Sequence, residues 1–115
     1  MKSIEIIRDP VNQEVWEAHA REGYGDFVKI VVDVERGILG LGGALHADAE
    51  AMLLDNGSLQ EDLWGANVFL GRTTDDRLEY DSFINIRPRQ DNRTMTLQDA
   101  AVCERVRSVV DRLLL

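Results

Sequence analysis

The sequence predicts an α+β domain: a two-layer sandwich in which a mixed sheet of about five strands carries helices on one face, in the order β-α-β-β-α-β-β-α. Three observations predict it. Residues 27–34 (F-V-K-I-V-V-D-V) are β-branched and mostly apolar, and a short apolar run at 38–41 follows after Glu35-Arg36-Gly37, which is the signature of an antiparallel hairpin. Residues 63–70 (L-W-G-A-N-V-F-L) and 78–86 (L-E-Y-D-S-F-I-N-I) repeat the pattern as a second pair of strands around a turn at 71–76. Near the end, Val102, Val106, Val109, Val110 and Leu113 recur at helical spacing and make one apolar stripe. Hairpins that must cover one face with helices give a layered domain.

Element by element, residues 2–7 (K-S-I-E-I-I) alternate and read as a first strand. Asp9-Pro10 has the form of an N-cap followed by the first helical residue, and Val11, Val15 and Ala18 give that helix an apolar stripe beside Trp16, with an end near Gly23. The strand at 27–34 is predicted to be central. If the first strand is its parallel neighbour, the crossover between them is right-handed. Residues 47–54 (A-D-A-E-A-M-L-L) favour a helix by composition, with Gly57 beyond its end; the rival is a strand at 50–54 turning at Asp55-Asn56-Gly57. Gly65 marks a bulge or a close backbone approach. Pro88 ends the strand at 78–86, and 89–95 is a polar loop. Thr96 to Asp99 (T-L-Q-D) resembles a capping box opening the last helix, which runs to about Leu114. Cys103 lies off the centre of that helix's stripe and is expected to be a structural thiol.

The 115 residues are expected to form one domain, 1–115. No apolar run approaches the length of a membrane span, and the start of the chain lacks a signal-peptide pattern. The single cysteine excludes an internal disulfide and fits a cytoplasmic setting. A net charge of −8 argues against nucleic acid as a partner. No Cys/His cluster has zinc spacing, and neither His19 nor His46 has a Ser or Cys partner at recognisable spacing.

Two segments carry the candidate site. The first is G-G-A-L-H-A-D-A-E, residues 42–50. His46, Asp48 and Glu50 together have the chemistry of a divalent-ion or acid–base site, the basis for an alternative reading as a metal-assisted hydrolase. On a helix, however, positions two apart diverge, and a simpler account makes His46 or Asp48 the N-cap with Glu50 in the first turn. The second segment holds Asn85, Arg87, Arg89, Asn92 and Arg93 at a strand end and in the loop after it. Arginine forks there could clamp an anion while Asn85 orients it, or could pair with Asp48, Glu50 or Asp62. Trp64, beside Asp62, is expected in the core or in a pocket wall.

The strings G-G-A-L-H-A-D-A-E, Q-E-D-L-W-G-A-N and F-I-N-I-R-P-R-Q-D-N-R, in that order, resemble a small family of bacterial and archaeal domains of unknown function. The family's pattern is a glycine pair leading to L-H-A-D-x-E, then Q-x-D-L-W-G, then I-N-I-R-P with N-R following, and it spans nearly the whole chain. The resemblance implies a soluble single-domain protein without an assigned activity, cofactor or catalytic residue. The expectation is therefore a domain that binds a small anionic ligand or a protein partner through His46, Asp48, Glu50, Asp62, Trp64, Asn85, Arg87 and Arg93, and that is a homodimer.

Overall fold

A computed structural model describes residues 3–115, so Lys2, where the first strand was expected to begin, lies outside the described residues. Five strands form one sheet: β1 (Glu5–Ile7), β2 (Phe27–Asp33), β3 (Ile38–Leu41), β4 (Leu63–Phe69) and β5 (Leu78–Glu79), in the order β1-β3-β2-β4-β5. Three helices accompany them: α1 (Gln13–Glu22), α2 (His46–Asp55) and α3 (Ala100–Leu113). The α+β class, the five strands and the central position of β2 are as expected.

Two features of the expected sheet are corrected. Every strand pair is antiparallel, so the sheet is not mixed; β3 lies between β1 and β2, which are therefore not parallel neighbours. The helices also cover both faces rather than one. Val28, Ile30 and Val32 of β2 join a large core with Trp16 and Ala20 of α1 and Val106, Val110 and Leu113 of α3. Val31, on the other face, joins a smaller core with Ala49 and Leu53 of α2 and with Leu63. A strand that is apolar on both sides must be covered on both sides, and the unbroken I-V-V of β2 demands that.

Local chemistry explains where the helix starts differ from expectation. The N–H of Val11 donates to the carbonyl of Leu113 at 2.8 Å, which holds residue 11 extended, so α1 begins after Asn12, whose side chain accepts from the N–H of Val15. Asp9 is thus not the cap. The buried face of α1 is Trp16, Glu17, His19 and Ala20, while Val15 is exposed, because the large indole claims the core side. At α3 the cap is Asp99, whose carboxylate accepts from the N–H groups of Ala101 and Val102. Thr96, three residues earlier, instead bridges to Asp81. Residues 46–55 are helix, not strand, and α2 closes with Gly57 at φ +98, donating to Leu54 while Ser58 donates to Leu53. Among the described residues no helix is long and apolar enough to cross a membrane.

The strand expected at 78–86 stops at Glu79. Beyond it the chain folds into a one-turn helix at Phe83–Asn85 and another at Pro88–Gln90. The reason is Asn85, fully buried: its side-chain oxygen accepts from the N–H of Gly65 at 2.9 Å and its amide nitrogen donates to the carbonyl of Gly65 at 2.9 Å. One side-chain amide thus does for the β4 edge what a neighbouring strand would do. A Cβ on Gly65 would lie 2.6 Å from the side chain of Ser82, so the glycine is what lets the segment approach.

Candidate functional site

The two segments singled out in the sequence do meet, across the end of β4. Arg87 reaches Glu50 of α2 at 3.8 Å, and its guanidinium lies 4.3 Å above the ring of Trp64. Its other donors go to protein oxygens: Nε to the carbonyl of Ile84, Nη1 to the carbonyl of Gln60 and the side chain of Gln90, and Nη2 to the carbonyl of Leu63. Burial lowers the Arg87 pKa, and the Glu50 charge opposes that shift. With its donors so engaged, Arg87 fastens the 80–96 segment to β4 and α2, and the expected anion clamp has no free fork. Asn92, also buried, donates to the carbonyls of Asn85, Thr94 and Thr96 and accepts from the N–H of Gln98, so it shapes the loop from within.

The remaining candidates scatter. Trp64 is buried in the large core. Asp48 and Arg93 are exposed, as is Arg89. Asp62 is half-buried, and its carboxyl is pushed up first by desolvation and then by the charges of Asp33, Glu61 and Glu35. His46, Asp48 and Glu50 diverge around α2 as helical spacing requires, and among the described residues no group of three His, Cys, Asp or Glu is placed to hold a metal ion. The N-cap of α2 is Leu45, without a side-chain cap bond, so neither His46 nor Asp48 serves as the cap.

His46 does something else. As the first residue of α2 it turns inward, 7% exposed, and its Nε2–H donates to the carbonyl of Ala66 at 2.9 Å. Since a carbonyl only accepts, the proton sits on Nε2. Burial lowers its pKa to about 4, with Lys29's charge adding to the shift and the bond to Ala66 opposing it, so the ring is neutral near pH 7. Asn67, beside Lys29 in the β2–β4 register, keeps a buried side-chain oxygen without a partner.

His46 and Lys29 border a cavity of about 250 Å³, lined also by Tyr24, Leu45, Phe83 and Ile84 among others. Its walls are mainly apolar. Leu45 is 60% exposed and Phe83 77% exposed at its rim. Lys29 supplies the single formal charge in the wall. Its ammonium lies 5.3 Å from the centre of the Tyr24 ring and 5.8 Å from that of Phe27. Burial lowers its pKa. Among the described residues it makes no hydrogen bond and has no carboxylate within 4 Å.

His46 was among the residues expected at a site, and Lys29 was not. A signal was present: in a chain whose cations are otherwise arginines, Lys2 and Lys29 are the only lysines, and Lys29 interrupts the apolar run of a central strand. The chain belongs to the family described as protein of unknown function (DUF5674), which matches it over residues 5–113. No curated protein and no solved structure matches the chain.

Proposed function

We propose that this member of a family without an assigned activity is a binding domain for a small organic acid, held in the cavity between Lys29 and Phe83. The observation that carries the reading is Lys29: a half-buried ammonium with no carboxylate partner, at a mainly apolar cavity, in a chain of net charge −8. A ligand carboxylate would take the ammonium, and its hydrocarbon part would lie against Tyr24, Leu45, Phe83 and Ile84. Neutral His46 holds the floor by its bond to Ala66 and adds no competing charge. The ligand is anionic, as the sequence suggested, but its partner is Lys29 rather than Arg87.

Thermal shift and calorimetric titration with butyrate, hexanoate and benzoate, each against its uncharged amide, test this. The acids should raise the melting temperature and the amides should not, and Lys29→Met should remove the effect while folding normally. Equal responses to acid and amide, or an unchanged response in Lys29→Met, would refute it.

A further inference from the structure

A larger cavity, about 540 Å³, lies on the α1–α3 side of the sheet, between those helices and the loop joining β4 to β5. Its wall contains Arg77, 6% exposed. Nη2 of Arg77 donates to the carbonyl of Leu114 at 2.8 Å and lies 3.3 Å from a carboxylate oxygen of Asp111. Its Nε–H is buried with no partner, and Nη1 makes no hydrogen bond among the described residues. One N–H of a buried guanidinium is therefore unused, although leaving such a donor unpaired is costly and rare in folded proteins.

The surroundings favour an anion. Arg72, in the same wall, stacks 4.0 Å over the ring of Phe69 and has no carboxylate within 4 Å among the described residues. Thr73 and Thr74 line the cavity, and neither hydroxyl makes a hydrogen bond within the described residues. The two carboxylates in the wall are already engaged: Glu17 with Arg21 at 2.8 Å, and Asp111 with Arg107 at 3.5 Å as well as with Arg77. The capacity left over is the buried Nε–H of Arg77, the guanidinium of Arg72 and two hydroxyl donors.

We propose that this cavity binds the phosphate group of a small polar molecule, with Arg77 and Arg72 as charged donors and Thr73 and Thr74 completing the shell. A phosphate group offers these donors more acceptor oxygens than a carboxylate. The site is independent of the Lys29 cavity.

The test follows the Arg77 Nε–H signal by nitrogen-15 NMR in the whole chain, titrated with inorganic phosphate, with acetate, and with sodium chloride at matched ionic strength. Phosphate should shift it saturably, more tightly than acetate, with chloride giving no saturable change. Because Arg77 also anchors the end of α3, Arg72→Gln is the better variant: it should fold normally and weaken phosphate binding about fivefold. A shift that is linear and equal for phosphate and chloride, acetate binding as tightly as phosphate, or unchanged phosphate affinity in Arg72→Gln would each overturn the proposal.

Discussion

Acid should destabilise this protein partly through one histidine, and the size of the effect follows from where that ring sits. His46 has an ordinary pKa of 6.5 when the chain is unfolded and about 4 when folded, chiefly because burial disfavours the imidazolium. Its folded pKa is depressed, so the unfolded chain binds the proton more tightly between those values. The stabilisation is fully present above pH 6.5 and is lost as pH falls towards 4. Each tenfold difference in proton affinity is worth about 1.4 kcal/mol, so the full span amounts to about 3 kcal/mol. The perturbation is His46→Gln, which can keep a donor for the Ala66 carbonyl but cannot titrate. Urea unfolding of both proteins at pH 7.5 and pH 4.2 is the assay. All other ionisable groups are common to both proteins, so their contributions cancel in the comparison. Wild type should lose about 3 kcal/mol more than the variant between the two conditions. An equal loss in both, or a His46 ring signal titrating near 6.5 in the folded protein, would refute the reasoning.

The β4 edge gives two more predictions. Asn85→Asp keeps the shape but replaces the donor to the carbonyls of Gly65 and Met95 with a buried acceptor; it should cost about 3 kcal/mol or more in urea unfolding, and a loss under about 1 kcal/mol would show that the amide is not the strand surrogate. Gly65→Ala places a methyl 2.6 Å from the Ser82 side chain and should cost about 1–3 kcal/mol. Ser82→Gly in the same chain should recover part of that loss, and strictly additive effects would count against the close approach.

Much of two motif strings is engaged in holding the fold together. I-N-I-R-P supplies the amide that pairs with Gly65 and the guanidinium that locks Leu63, Gln60 and Glu50. The glycine in D-L-W-G is the surface on which that segment rests. The edge of β4 is covered over this stretch by the chain's own residues. Asn85 and Arg87 are committed to closing the β4 edge, and Lys29 and Arg77 lie outside that contact.

By itself the sequence determined the α+β class, the β2–β3 hairpin, the α2 helix and the apolar stripe of α3, because each is written in periodicity and propensity within a short window. It also pointed correctly to a meeting of residues 46–50 with 85–93. Tertiary structure alone decided what that meeting is. Whether Asn85 sits in a strand or turns its amide onto Gly65 depends on a backbone 20 residues away, which no local pattern encodes. Likewise the coverage of both sheet faces, the neutral buried His46, the unpartnered Lys29 and the unpartnered Nε–H of Arg77 arise from which groups the fold brings near and which it leaves alone. Proximity and desolvation are properties of the packed chain, and they separate a satisfied arginine from a free one.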